Sequence, residues 1–371
     1  MNTTTYEELA KHQVDPAAWL QRTFAAIARG FRRHAALYLI AFGTYALGLL
    51  ESLWLGVPLS FGLVSIVSGT TFVFLFLAIF LWLAAYFIKL WRAGYAGSPL
   101  EALKVKLFED IVAPGRVSNA LHAFTANGVF FVGFLTIKKN IPIALPFAWD
   151  RTFMEWDKTV HFGVLPHEIL APLFQYPLIT FLVNVNYNLW FVVILTFFFV
   201  LGFRKEDSAL RQRYLISYLL TWLVGTCILG TFLSSAGPCF FGFVDQGANP
   251  YDGLMSYLKA ANEIYPIWAV PTQDTLWASH LQGHGEVEGV SAMPSMHVGT
   301  TILFICCAFA VKKRWLIRFT IPFTVSILLG SVLLGWHYAV DGYLGALVAY
   351  VCWVIGGWIV NRMPELNSHP S

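Results

Sequence analysis

The stretch SAMPSMHVGT, Ser291–Thr300, sets a proline, a serine and an imidazole directly in front of an apolar run that continues to Val311. Further along, LLGWHYAVDGYLGA, Leu333–Ala346, places a second histidine, His337, and a carboxylate, Asp341, where two more apolar runs meet. Ionisable residues bordering membrane spans are expensive and by default functional. That rule applies only if the runs are spans, so the rest of the chain must be read first.

The 371 residues are 57% apolar, 16% aromatic and 12% charged. With a mean hydropathy of +0.62 these are the values of an integral membrane protein. The net charge of +3 says little as a total, and no pattern for nucleic-acid binding is present. Four of the five cysteines, Cys227, Cys306, Cys307 and Cys352, fall inside apolar runs and Cys239 stands alone, so neither a disulfide framework nor a zinc pattern is expected. The polar start of the chain lacks the short apolar core of a cleavable signal, and the first span is expected to direct insertion.

A helix crossing the hydrocarbon core needs about 20 mostly apolar residues. Eight candidates meet this, near Ala35–Leu55, Phe61–Ile88, Asn119–Ile137, Thr180–Phe203, Tyr214–Ser235, Met293–Val311, Trp315–Gly335 and Tyr338–Val360. The sixth is short and the last two nearly touch, which leaves seven open. The expected fold class is all-α, a polytopic membrane bundle. It divides into an amphipathic segment 1–34, two spans and a connection 35–118, a six-helix core 119–361 and a tail 362–371.

Lys and Arg concentrate on the cytoplasmic side of a membrane protein. Here 19 of the 24 fall on alternate connections that include both termini, and only Lys138, Lys139, Arg151, Lys158 and Lys259 fall on the others. Both termini are therefore expected in the cytoplasm, with loops Lys138–Ile179 and Ala236–Ala292 outside. Within 1–34, Trp19, Phe24, Ile27 and Phe31 share a helical face, fit to lie on a membrane surface or to pack on the protein.

His297, His337 and Asp341 then share one membrane level on one side. His337 and Asp341 are four apart and meet if the last helix begins by Trp336. A carboxylate holding Nδ1–H leaves Nε2 free as a nucleophile, and a second imidazole can protonate a leaving oxygen. Pro294 suits a first helical turn, where free N–H groups from Ser295 onward and the Ser295 hydroxyl would seat an anion. A phosphoryl group fits these parts, although His-x-x-x-Asp also occurs as ordinary interfacial polarity.

The residues PSMH and, about forty later, HYAVD resemble the second and third signatures of the type 2 phosphatidic acid phosphatase superfamily. That resemblance covers about Asn119–Val360. It implies a six-helix core, His337 as nucleophile, Asp341 as its orienting carboxylate, His297 as general acid, and no metal or other cofactor. The usual glycine between Ser and His is Met296, the usual arginine six residues before the second histidine is Ser331, and the end of span five reads FLSSAGPCFFGF without the first signature's cations. These departures, with the outer segment IKKNIPIALPFAWDRTFMEWDKTVHFG, are more similar to the inositolphosphotransferase branch typified by fungal inositol phosphorylceramide synthase. A phosphate ester needs cations, so Lys138, Lys139, Arg151 and Lys158 are candidate phosphate anchors. Arg151 and Lys158 equally suit pairing with Asp150, Glu155 or Asp157.

The expected activity is a phosphatase or phosphotransferase on a membrane lipid at the outer leaflet. Nothing fixes the lipid, the acceptor or the oligomeric state. The competing class is a transporter or metal-binding membrane protein using the outer histidines. His280 and His284 with Glu286 and Glu288 have ligand spacing, but the glycines among them favour a loop. Glu51 near the outer end of the first span, the alternating Asn184, Asn186 and Asn188, and Trp149, Trp156, Trp268 and Trp277 complete the polar and aromatic features. The asparagines suit helix packing, and the tryptophans suit an interfacial belt.

Overall fold

Asp15 starts the first helix: its carboxylate accepts the N–H groups of Ala17 and Ala18 at 2.9 and 3.3 Å, and Pro16 occupies the position where no N–H is needed. This is α1, Pro16–Arg33, in a computed structural model that describes residues 15–95, 97–206, 208–282 and 289–363. Trp19 turns inward and donates its indole N–H to Val112 O at 2.8 Å, whereas Phe24 and Phe31 remain exposed. The amphipathic segment thus packs on the protein along one edge and leaves Phe24 and Phe31 exposed along the other.

The chain continues as α2 (Ala35–Leu55), α3 (Gly62–Arg92), the short α4 (Pro99–Lys106, extended by a π-helical turn Leu107–Ile111) and the long α5 (Pro114–Ala144). Then come two short outer helices, α6 (Asp150–Val160) and α7 (Pro166–Phe174), followed by α8 (Pro177–Gly202) and α9 (Ala209–Trp222, π-helical over Leu223–Gly230). A single turn at Phe241–Val244, α10 (Asp252–Asn262) and α11 (Ala269–Gln282) lead to α12 (Met296–Ala310), α13 (Arg314–Leu333) and α14 (Ala339–Asn361). No strand occurs among the described residues, and the fold is an all-α polytopic bundle. Among the described residues six helices, α2, α5, α8, α9, α13 and α14, are long and apolar enough to cross a membrane. The helix α12 is apolar but has only 15 residues, and α3 lies where another span is expected.

Packing follows small residues. The helices α2 and α5 lie close along their length, since a Cβ on Gly48 would come within 2.7 Å of Gly133 O. Leu39, Leu53, Leu347 and Trp358 stay exposed on the outer faces. In a bilayer such faces meet lipid tails, so their exposure carries no penalty.

At the basic end of the bundle the fully buried Arg211 joins three segments. It donates to Leu201 O at 2.9 Å and Asn119 O at 2.7 Å, and it lies 2.8 Å from Nε2 of His34. A guanidinium in that setting survives because its donors find acceptors in fork geometry.

At the other end the two expected loops are largely helical, carrying α6 and α7 in one and α10 and α11 in the other. They were legible only as loops because buried carboxylates interrupt the apolar period of α6, whose inward residues are Asp150, Phe153, Met154 and Asp157. Lys138 and Lys139 are likewise not in a loop, since α5 runs on to Ala144.

Candidate active site

Helix α14 begins at Ala339, three residues later than the sequence spacing requires for His337 and Asp341 to share a helical face. They meet nonetheless. Asp341 stands at the third helical position and turns back to accept the N–H of the N-cap residue, Tyr338, at 3.0 Å, as in one half of a capping box. The same oxygen, Oδ2, lies 3.3 Å from His337 Nδ1. The backbone N–H groups of Trp336 and His337 are held in turn by Ser331 O at 3.0 and 3.1 Å. Ser331, where the resemblance expects an arginine, therefore fixes backbone instead of carrying charge.

Helix α12 begins at Met296 with Ser295 as its N-cap. Pro294 consequently precedes the cap and is not in the first turn. The Ser295 N–H is not free either, because it donates to Asp341 O at 2.9 Å. What remains for an anion are the first-turn N–H groups of Met296, His297 and Val298, which have no partner four residues back within the helix, and the buried Ser295 hydroxyl, which has no hydrogen-bond partner among the described residues.

Two close approaches bring these helices together. A Cβ on Gly345 would strike the Ser295 carbonyl, and one on Gly299 would lie 2.9 Å from Gly345 O. Gly345→Ala is therefore expected to push α14 off the α12 start, at about 1–3 kcal/mol in stability, with loss of whatever activity the site supports. Thermal unfolding in detergent reads the first effect, and an unshifted midpoint would refute the tight crossing. Met296 fills the space a larger residue at 225 would need, since its sulfur lies 2.6 Å from where a Cβ on Gly225 would stand. The missing signature glycine is thus matched by a glycine in the π-helical turn of α9, a distortion common beside functional sites.

His297 lies between aromatic faces. Its ring stacks on Tyr187 at 4.6 Å and lies tilted against Trp190 at 4.2 Å, and Trp190 is itself held by a 2.9 Å bond to Thr300 Oγ1. The His297 and His337 rings are 6.0 Å apart. The two rings meet edge to face, with no hydrogen bond between them among the described residues. Sequence reasoning missed Tyr187 and Trp190, although Asn184, Tyr187 and Trp190 recur at intervals of three on one face of α8 and are all buried.

The acids of α6 also escaped the sequence reading in their proper role. Asp150, expected as a partner for cations, accepts from Ala236 N, Gly237 N at 2.8 Å and the Tyr338 hydroxyl at 2.8 Å. Asp157, one helical face along, accepts from Ala339 N and Val340 N, each at 2.9 Å. Two orphan donors at the start of α14 are thereby satisfied, and a negative charge sits at the positive end of its dipole. Residues Ser234–Cys239 complete the frame. Ala292 N donates to Ser235 O, Met293 N to Ser235 Oγ, and Cys239 N to Gly335 O, so one segment holds both signature stretches.

Burial raises the pKa of Asp157 above the usual carboxylate range, against the pull of its two N–H donors. A carboxyl with a raised folded pKa stabilises the fold fully below its unfolded value near pH 4, and that contribution is lost as pH rises through the folded value. Asp157→Asn does not titrate and is expected to flatten this part of the stability–pH curve. Equal slopes for variant and wild type would count against it.

The four candidate cations are dispersed. Lys138 is half-buried on α5, its backbone packed against Gly289, and its charge acts on the His297 ring. Lys139 is half-buried beside it. Arg151 is exposed and forks onto Asp245, with Nε–Oδ2 at 2.9 Å, instead of pairing with the acids of its own helix. Lys158 is half-buried on α6.

The remaining features settle into packing. Asn184 accepts from Ala269 N and Asn186 donates to Ser326. Trp149 stacks on Phe153 and Trp277 on Phe240, while Trp156 and Trp268 are about half exposed. Glu51 is half-buried on α2. His280 packs on Phe147 and Trp277, and His284, Glu286 and Glu288 lie outside the described residues. Among the described residues no three His, Cys, Asp or Glu side chains are grouped as metal ligands.

No curated protein and no solved structure matches this chain. The sequence model of the PAP2 superfamily does, over residues 151–355, more than half of the chain. That span opens in α6, whose acids frame the site, and closes in α14, which carries Asp341. With both signature histidines brought within 6.0 Å of each other inside it, the chain belongs to the PAP2 superfamily.

Proposed function

We propose that the protein is a membrane lipid phosphatase or phosphotransferase working through a phosphohistidine. The observation that carries this reading is the His337–Asp341 pair, 3.3 Å apart, with the His297 ring 6.0 Å from that of His337. With Nδ1 directed at Asp341, Nε2 of His337 attacks the phosphorus of a phosphoester. The bond to the leaving oxygen breaks, and His297 supplies its proton. In the second step His297 takes a proton from water or an alcohol, whose oxygen displaces His337 and restores the ring. The first-turn N–H groups of α12, the Ser295 hydroxyl and Lys138 face the transferring charge, with Lys139, Arg151 and Lys158 as more distant candidates.

The short span of α12 supports a lipid substrate. At 1.5 Å per residue α12 spans about 22 Å, short of the hydrocarbon core of about 30 Å. With Ala310 at one boundary, His297 lies below the other, within reach of a headgroup. The charge count supports an outer-side location for this site, and a cysteine probe at the exposed Gly247 should then react from that side alone.

The reading is tested by incubating purified protein with a panel of lipid phosphates, with and without inositol and other alcohols, and identifying products by mass spectrometry. Phosphate release marks a phosphatase, and a new phosphodiester marks transfer of the inositolphosphotransferase kind. No product from any member overturns the proposal.

A further inference from the structure

A basic cavity lies at the opposite end of the bundle. Between α1 and the start of α5 is a cavity of about 430 Å³ lined by Arg22, Arg29, Arg33 and Lys205, with Gly30 and Gly115 in its wall. The rise of α5 from Gly115 to Lys138 separates it from the histidine site by about 35 Å, so the two cannot share a ligand.

Three features point to an anion. The lining contains four cations and no acidic residue. Among the described residues no carboxylate pairs with any of them; the ion pairs there involve Lys106, Arg151 and His337. Like charges gathered round one cavity repel, and a bound anion relieves that cost. The second feature is the backbone. Pro114 and Gly115 open a 31-residue helix, so unpaired N–H groups and the positive end of the dipole add to the cationic rim. The third is position. Phe24 and Phe31 are exposed on the same α1 that contributes the arginines, so the cavity opens at the level of lipid headgroups.

We propose that this cavity binds a phosphate-bearing anion, presented either by an anionic lipid headgroup or as free phosphate, at the membrane face opposite the histidines. Guanidinium forks recognise phosphate oxygens in pairs, and two arginines on successive turns of α1, Arg29 and Arg33, are set to grip one group.

Amide hydrogen exchange of the full-length protein in neutral detergent locates the ligand directly. Phosphatidic acid is expected to slow exchange in peptides covering 16–33 and 113–119, whereas phosphatidylcholine does not. Inorganic phosphate giving the same protection identifies a soluble anion; protection by the lipid alone identifies a headgroup. The double variant Arg29→Gln/Arg33→Gln should raise the half-saturating concentration about tenfold or more, the usual worth of charge-assisted bonds. Lys205→Gln, on a different segment, should weaken binding in the same direction without touching α1. No protection by either ligand, or wild-type binding in both variants, overturns the proposal.

Discussion

Replacing His337 by alanine is expected to lower phosphoryl release or transfer on the order of 10⁴-fold or more, the loss typical of a deleted nucleophile. The fold should survive it. The backbone N–H of His337 is held by Ser331 O, and Asp341 keeps its bond to Tyr338 N without the imidazole. The ring itself is buried, 8% exposed, so the variant's unfolding midpoint is measured beside its turnover. Wild type mixed rapidly with a labelled phosphoester should yield an acid-labile phosphoprotein that His337→Ala does not form. Asp341→Asn should still form it, more slowly, since the carboxylate orients the imidazole without joining the covalent step. Turnover unchanged in His337→Ala, with a normal unfolding midpoint, would sink the mechanism.

What the sequence made legible was whatever depends on local periodicity and on charge distribution. The span positions follow from apolar runs, and all eight reappear as helices, six of which are long and apolar enough to cross a membrane among the described residues. The meeting of His297 with His337 and Asp341 followed from their common membrane level. The reason for the His337–Asp341 contact was not legible. A helical face was expected, but the helix starts later and a cap makes the contact, because Asp341 satisfies the Tyr338 N–H as well as facing the ring. Capping depends on where a helix starts, and helix starts are the least certain feature of a sequence reading.

The acids of α6 were hidden for a related reason. Asp150 and Asp157 lie next to Arg151 and Lys158 in sequence, which suggests ion pairs. In space they point inward to backbone N–H groups contributed by residues 236, 237, 339 and 340. No local pattern encodes a bond between segments 86 or 182 residues apart. The buried N–H groups that required an acceptor were the constraint, and they belong to other elements. The same holds for Met296, odd as a departure from the signature and accounted for only by Gly225 across the helix interface.

The role of His297 can be isolated by its dependence on the leaving group. His297→Asn is expected to lower turnover of an alkyl or lipid phosphoester by about 10²–10⁴-fold, the range for loss of a general acid. A nitrophenyl phosphate needs no proton on its leaving oxygen, so its first step should be largely spared. The second step still lacks the base that activates water. The variant should therefore release one equivalent of nitrophenolate per site in a burst and then turn over slowly, with phosphohistidine accumulating on His337. A purely structural role gives a different result. The ring fills the space between Tyr187 and Trp190 at 4.6 and 4.2 Å, and if packing were its only function, both substrates would slow equally and no burst would appear. That outcome would remove His297 from the proton transfers and leave it as an aromatic wedge packed between Tyr187 and Trp190.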